Sequence, residues 1–177
     1  MSNIFSHNIT ESDRHFITGA LRKKPQTPVS QVIARCPQGH PSVLEVAPLN
    51  TKMQPFPSTY WLLCPSLVKQ VTALEYQGII KHLQNKIDSS ERLQNRLADN
   101  HRQYIHRRQQ LIHDKSQQQR FTQLGISGNQ NFNSVKCLHG HYAHYLATKD
   151  NYIGRYIHTF YNLSCHLTDI DSPQNLQ

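Results

Sequence analysis

Two short runs rich in branched aliphatic residues, separated by a proline-rich turn, set the strongest constraint on the fold. Residues 29–36 and 42–47 are rich in Val, Ile and Leu, which is typical of strands. Between them stands the sequence Pro-Gln-Gly-His-Pro at positions 37–41, a combination that favours a tight turn. The pattern predicts an antiparallel hairpin that carries Cys36 at its tip, and residues 59–63 are predicted to add a third strand.

Helical patterns account for most of the remaining chain. Residues 10–21 begin with a hydroxyl cap followed by an acid three residues later, and then carry an apolar stripe, which predicts a first helix. Pro65 suits the start of a long second helix, because its missing N–H is not needed there, and this makes Cys64 the predicted cap. A capping pattern near Asp88 separates that helix from another long segment, residues 90–124. A later helix is predicted to carry Cys137 near its start.

Together these elements predict a single α+β domain over residues 10–160, in which helices pack against a small antiparallel sheet of two or three strands. Between positions 89 and 121 there are seven Lys or Arg and three Asp or Glu. This charge pattern predicts that residues 88–124 form a protruding helical arm, and that its arginines, Arg92, Arg96, Arg107 and Arg108, are exposed. Residues 161–177 are polar and are predicted to form a flexible tail, in which Cys165 is interpreted as an incidental free thiol.

The bulk composition suits one modest core in a cytoplasmic protein. The chain has 177 residues, of which 37% are hydrophobic, and a formal net charge of +8. No signal peptide and no apolar run of membrane-spanning length is visible, so we expect a cytoplasmic location and no membrane contact. In that reducing compartment, four cysteines favour metal binding or redox chemistry over structural disulfides. The basic balance also leaves nucleic-acid binding through the arm as an alternative.

Three cysteines in separate segments form the candidate site. Cys36 and Cys64 each precede a proline, and Cys137 opens a His-rich stretch. Thiolate and imidazole groups are the ligands that suit zinc, so these cysteines and one histidine would make a closed tetrahedral zinc site if the fold brings them together. On a helix, His141 and His144 would share a face with Cys137, which makes either of them a candidate for the fourth ligand.

Other interpretations of the same residues stay open. Buried cysteines often pack as small hydrophobic side chains with no ligand at all. Alternatively, Cys137 with a histidine of its helix, or Cys64 with His40, would serve as a nucleophile and its base. The leading hypothesis is a non-enzymatic, zinc-stabilised interaction module with an unidentified protein partner. A thiol-dependent or zinc-dependent enzyme that uses the same cluster is the alternative, and the sequence does not decide between them.

These cysteine segments resemble a bacterial family, the domain of unknown function numbered five hundred and one. The resemblance extends from about residue 13 to about residue 154. It rests on these blocks: Arg35-Cys36-Pro37-x-Gly39-x-Pro41, Pro55-Phe56-Pro57-x-x-Tyr60-Trp61-Leu62-x-Cys64-Pro65, Leu74-Glu75-x-x-Gly78, Gly125-Ile126-Ser127-Gly128 and Val135-Lys136-Cys137-Leu138-His139.

The resemblance implies a small cytosolic protein and no particular activity. It marks the three cysteines and His139 as motif positions, whereas His40 is not marked. It therefore places His139 beside His141 as a candidate for the fourth ligand, and the predicted metal ligands are Cys36, Cys64, Cys137, His139 and His141.

Overall fold

A three-stranded antiparallel sheet forms one layer of the molecule. The computed structural model describes residues 4–112 and 114–165. The strands are β1 (Val29–Arg35), β2 (Pro41–Val46) and β3 (Tyr60–Leu62), in the order β1-β2-β3. The predicted hairpin is present, and its turn is closed by a 2.9 Å hydrogen bond from the N–H of Cys36 to the carbonyl of His40. Gly39 completes the turn at φ 82°, a left-handed conformation that glycine adopts without strain.

Helices supply the rest of the core and cover the sheet. They are α1 (Glu11–Leu21), α2 (Pro65–Tyr76), α3 (Ile79–Asp88), α4 (Glu91–Gln110), α5 (Lys115–Gln118), α6 (Leu138–Thr148) and α7 (Tyr152–Phe160), with short 3₁₀ turns at Gln119–Phe121 and Ile126–Gly128. The central strand β2 is buried along its whole length. This architecture confirms the predicted α+β class. No helix in the described part of the chain is both long enough and apolar enough to cross a bilayer.

The first two helices begin at the capping residues that the sequence predicts. Thr10 caps α1, and its Oγ1 accepts a hydrogen bond of 3.1 Å from the N–H of Asp13. The carboxylate of Asp13 also receives two 2.8 Å hydrogen bonds from Arg35, which join α1 to the hairpin. Helix α2 begins at Pro65 with Cys64 in the cap position. The long helix predicted from there is divided at Gly78, whose φ of 77° ends α2 and starts α3.

Helix α4 packs against the core. The prediction that it forms part of a protruding arm was therefore wrong. The helix ends at Gln110, and it buries Leu97, His101 and Tyr104 among other side chains. Arg108 is fully buried and Arg107 is half-buried, so the prediction that both are exposed was wrong, whereas Arg92 and Arg96 are exposed.

The polar residues that interrupt the apolar stripe of α4 explain this error. Asn100 is buried, yet its Nδ2 donates to the carbonyl of Asp150 at 3.1 Å and its Oδ1 accepts from the N–H of Tyr152 at 2.9 Å. Arg107 makes two hydrogen bonds, of 2.7 and 2.9 Å, to the buried carboxylate of Glu45. Polar groups can be buried when they have such hydrogen-bond partners. A hydrophobicity pattern gives no information on partners that are distant in sequence.

The chain remains packed at the end of the described region. Leu163 and Cys165 are both buried against the core. Cys165 is therefore part of the packed structure and not an incidental thiol on a free tail. Residues 166–177, which make up most of the predicted tail, lie outside the described residues.

Candidate metal centre

Three potential metal ligands meet where the end of α2 approaches the start of α6. They are a carboxylate oxygen of Glu75, the Sγ of Cys137 and a ring nitrogen of His139, and these atoms all lie within 4.8 Å of one another. The Nδ1 of His139 is 3.9 Å from the Sγ of Cys137 and 3.3 Å from the Oε1 of Glu75. A single ring nitrogen therefore faces both the sulfur and the carboxylate.

Hydrogen bonds to both helices fix the orientation of these ligands. The Oε1 of Glu75 accepts a 2.7 Å hydrogen bond from the N–H of Leu138, the first residue of α6, where helix N–H groups lack partners within the helix. The Nε2 of His139 lies 3.1 Å from the hydroxyl of Thr72, which stands one turn before Glu75 on α2. The imidazole is thus held on both of its nitrogens.

The same contacts shift the pKa values of the Cys137 thiol and the His139 ring in opposite directions. Burial raises the pKa of the Cys137 thiol, but the hydrogen bond from His139 and the N–H of Gly140 outweigh burial, so the net pKa is lowered. Burial lowers the pKa of His139, but its contacts with Cys137 and Glu75 outweigh burial, so the net pKa is raised. Both shifts favour the charged forms, a thiolate beside an imidazolium.

A cavity of about 250 Å³ opens beside these ligands. Cys137 and His139 form part of its wall. The residues that line the rest come from β3 and the segment before it, α2, the start of α6 and the second 3₁₀ turn: Ser58, Tyr60, Trp61, Leu62, Val68, Ser127 and Gly140. Cys137 and His139 are therefore accessible from a pocket of the size of a small molecule.

One wall of this cavity depends on the close approach of two segments. Ser127 adopts a left-handed backbone conformation, with φ 55° and ψ 30°, which is strained for a residue other than glycine. Its hydroxyl lies so near α6 that a Cβ on Gly140 would come within 2.0 Å of the Ser127 Oγ and 3.1 Å of the Ile126 Cγ2. Only glycine at position 140 leaves room for this contact.

Gly140→Ala is expected to displace Ser127 and deform the cavity, with a stability loss of about 1–3 kcal/mol from overpacking. Urea denaturation of the variant checks the loss. The double variant Gly140→Ala/Ser127→Gly should recover much of it, because it removes the clashing hydroxyl and also relaxes the left-handed backbone. A double variant no more stable than Gly140→Ala alone would show that the clash with Ser127 is not the cause.

The other two predicted cysteine ligands lie at a different place. Cys36 and Cys64 do not belong to the group formed by Cys137, His139 and Glu75. Instead the Sγ of Cys64 is 3.4 Å from the Sγ of Cys165, and the Cys36 thiol also interacts with Cys165. The structure thus divides the predicted cysteine constellation into two groups.

The remaining predicted ligand, His141, faces the interior from α6. It is buried, and its Nδ1 lies 3.3 Å from the Nδ2 of Asn151, the cap of α7. His144 contacts the same amide nitrogen at 3.0 Å. His40 stacks on Phe16 with ring centroids 4.8 Å apart. Of the five predicted ligands, Cys137 and His139 belong to the group that also contains Glu75, whereas Cys36, Cys64 and His141 do not.

Glu75 and Thr72 were not among the site residues predicted from the sequence. Position 75 falls inside the Leu74-Glu75-x-x-Gly78 block, so the sequence singled it out without indicating a role. The spacing of Thr72 and Glu75, three residues apart on one helix, does place them on the same face. That face meets α6 only through the tertiary fold, which the spacing does not reveal.

Comparison with known proteins identifies the family but adds no function. The family described as protein of unknown function (DUF501) matches residues 32–159. No curated protein and no solved structure matches the chain. The match covers most of the chain, so this protein belongs to the DUF501 family.

Proposed function

We propose that this DUF501 protein binds a zinc ion through Glu75, Cys137 and His139. The spacing of the donor atoms is the observation that carries the proposal. In a tetrahedral site with zinc–nitrogen and zinc–oxygen distances of about 2.0–2.1 Å, two such donors lie about 3.3 Å apart. The distance from the Nδ1 of His139 to the Oε1 of Glu75 is 3.3 Å, and the Cys137 sulfur lies 3.9 Å from the same nitrogen.

The surroundings of the ligands also suit a metal. A histidine that binds metal through one nitrogen usually makes a hydrogen bond with the other, which fixes the ring. The Thr72 hydroxyl occupies that position at the Nε2 of His139. Cysteine sulfur, imidazole nitrogen and carboxylate oxygen together form a donor set typical of zinc.

The open cavity favours an enzyme over a purely structural site. Structural zinc sites have four protein ligands, whereas catalytic sites have three and keep one position for water or substrate. Among the described residues three ligands converge here, and two of them, Cys137 and His139, line a cavity of about 250 Å³. We therefore propose a zinc-dependent enzyme that acts on a small substrate, and bound zinc would supply an acidified water or a polarised substrate oxygen. This differs from the closed site of three cysteines and one histidine predicted from the sequence.

Glu75→Gln is expected to weaken zinc binding at this centre by roughly 100-fold or more, because an amide replaces an anionic ligand. Purified wild-type protein should contain one more zinc ion per chain than the variant, as measured by elemental analysis. Glu91→Gln, at an exposed position in the first turn of α4, is the matched control and should leave the zinc content unchanged. Equal zinc content in wild type and Glu75→Gln would refute the metal centre.

A second candidate function uses Cys137 as a nucleophile without metal. The observation that favours it is the order of groups: the thiol faces the Nδ1 of His139 from the cavity wall, and Thr72 holds the opposite nitrogen of the ring. This is the arrangement of a nucleophile, its base and an orienting group. In that case alkylation of Cys137 should proceed equally fast with and without zinc, whereas a bound ion would protect the sulfur.

The broader sequence hypotheses stay predictions. A cytoplasmic location, an unidentified protein partner and nucleic-acid binding through α4 are all compatible with the fold. Nucleic-acid binding through α4 would use a smaller basic surface than expected, since Arg108 is buried and Arg107 is bound to Glu45. Arg92 and Arg96 remain exposed on that helix, although Arg96 pairs with Asp150 at 3.0 Å.

A further inference from the structure

We infer that the substrate of the proposed zinc centre is an uncharged small molecule whose aromatic group packs against Trp61 and Val68 in the cavity. This inference rests on the proposed function, because it names the class of substrate that the same site accepts. Cys137 and His139 line one part of the cavity wall, and Trp61 and Val68 line another. A ligand held at the centre therefore has apolar side chains within reach in the same cavity of about 250 Å³.

The cavity wall offers no cation to an anionic substrate, apart from the ring of His139. Among the described residues that line the cavity there is no Asp, Glu, Lys or Arg, and the polar side chains include the hydroxyls of Ser58 and Ser127. Sites that recognise phosphate or carboxylate groups are typically built around Arg or Lys. The chain has a formal net charge of +8, yet no Lys or Arg of its described part lines this cavity.

The donor set of the centre does not favour an anion either. A Cys137 thiolate and the Glu75 carboxylate each carry one negative charge, so together they balance the two positive charges of Zn²⁺. An anionic substrate would therefore approach a centre with no net charge, and it would lose hydration in the cavity without gaining a cationic partner. An uncharged substrate does not incur that cost.

Trp61 and Val68 supply the apolar surface for an aromatic group. Trp61 lies on β3 and is half-buried, and its ring centroid is 5.8 Å from that of Phe56 at an angle of 47°. That contact restricts the orientation of the indole, and aromatic rings pack favourably on one another at such spacings. Val68, on α2, is also half-buried. A substrate ring that packs on these side chains removes their remaining apolar surface from water.

Hydroxamic acids that share one zinc-binding group and differ in the attached group test this class of substrate. Benzohydroxamic acid carries a phenyl ring, whereas acetohydroxamic acid carries only a methyl group. Burial of the ring should make benzohydroxamic acid bind the zinc-loaded protein about 10-fold to 100-fold more tightly, as measured by calorimetry. 4-Carboxybenzohydroxamic acid should lose most of that gain, because its carboxylate is desolvated without a cationic partner. Equal Kd values for the phenyl and methyl compounds, or for the phenyl and carboxyphenyl compounds, would overturn the inference.

A lysine in the cavity wall should reverse the preference for an uncharged ring. Val68→Lys should bind 4-carboxybenzohydroxamic acid about 10-fold more tightly than the wild type does, because the new ammonium group pairs with the carboxylate. Ala73→Lys adds the same charge at an exposed position of α2 that does not line the cavity, so this matched control should leave the Kd unchanged. Acetohydroxamic acid should bind both variants as it binds the wild type, which shows that the centre is intact. If that compound still binds Val68→Lys and the carboxylate gains nothing, the ring does not lie against Val68.

Trp61 allows the cavity to be tested without zinc, so that failure of the inference differs from failure of the zinc centre. It is the only tryptophan of the chain, and its fluorescence therefore reports on the cavity wall. N-Benzylacetamide, which is uncharged and has no strong metal-binding group, should change this emission in the metal-free protein at millimolar concentrations. Equal zinc content in wild type and Glu75→Gln would refute the metal centre and leave that result in place. An emission that N-benzylacetamide leaves unchanged up to its solubility limit would refute the aromatic subsite, whatever the zinc content.

Discussion

Arg108→Leu is expected to lower the free energy of unfolding by about 3–5 kcal/mol, because it removes one partner from a buried polar network. Arg108 is fully buried, and its Nε donates to the Oγ1 of Thr59 at 3.1 Å. Its two terminal nitrogens donate to the carbonyl oxygens of Pro57, Leu124 and Gly125. Leucine fills part of the space but leaves these acceptors without a donor.

The network also positions the walls of the cavity. The segments it joins, around Pro57 and around Gly125, continue into Ser58 and Ser127, which line the cavity beside the candidate metal centre. Tyr104 adds a second link, since its hydroxyl accepts a 2.6 Å hydrogen bond from the N–H of Thr59. Loss of Arg108 should therefore loosen the site as well as the core.

Urea denaturation followed by circular dichroism measures the effect. Arg102→Leu is the matched control. Arg102 lies on the same helix, is exposed, and forms an exposed ion pair with Asp99 three residues earlier, so its loss should cost less than about 1 kcal/mol. Arg108→Lys should fall between the two, because an ammonium group keeps the charge but cannot bridge both segments as a guanidinium does. If Arg108→Leu and Arg102→Leu unfold at the same urea concentration, the network does not contribute as proposed.

The sequence predicts well the elements that are determined by residues adjacent in sequence, such as turns and helix caps. The hairpin follows from two strand-forming runs around the Pro-Gln-Gly-His-Pro turn, and the starts of α1 and α2 follow from Thr10 and Pro65. The start of helix α4 was predicted correctly, but the helix ends at Gln110 and not near residue 124, and its burial was not predicted. Whether Arg108 is exposed depends on carbonyl groups from segments near residues 57 and 124, and neither segment is a neighbour in sequence.

The same reasoning accounts for the candidate site. Cys137 and His139 lie two residues apart, so their association could be predicted from the sequence. Glu75 reaches them from a helix that ends some sixty residues earlier, and it was missed. The assignment of Cys36 and Cys64 to the same site assumed that cysteines in distinctive settings converge on one point. Cys64 instead contacts Cys165, which had no distinctive setting.

Stability is expected to fall steeply as the pH drops from 6.5 towards 4.5, because three buried histidines must remain neutral in the folded protein. Burial lowers the pKa of His101 to about 4, that of His141 to about 3 and that of His144 to about 4, from an ordinary value of 6.5. For His144, the nearby Asp150 offsets part of the effect. Each ring has its Nδ1 facing a donor, the N–H of Ile126 for His101 and the amide of Asn151 for His141 and His144, so a proton added there would break a hydrogen bond.

The direction follows from proton binding in the two states. Between pH 6.5 and 4 the unfolded chain carries protons on these histidines while the folded chain does not, so acid favours unfolding. The contribution is fully present above pH 6.5 and is lost as the pH falls towards 4. At pH 5 each histidine should cost about 2 kcal/mol relative to neutral pH, or about 6 kcal/mol for the three. This is a large fraction of the stability of a typical domain.

Urea denaturation at pH 7.5 and pH 5, in the presence of a chelator so that metal release does not contribute, gives the pH-dependent loss directly. His101→Asn and His144→Asn each keep an acceptor near the position of Nδ1 but cannot be protonated, so each should reduce the loss by about 2 kcal/mol, whatever its stability at pH 7.5. His106→Asn, on the same helix as His101 and exposed, should leave the loss unchanged because water reaches its ring in both states. A wild type equally stable at both pH values would contradict the burial of neutral histidines, and so would an effect of His106→Asn equal to that of His101→Asn.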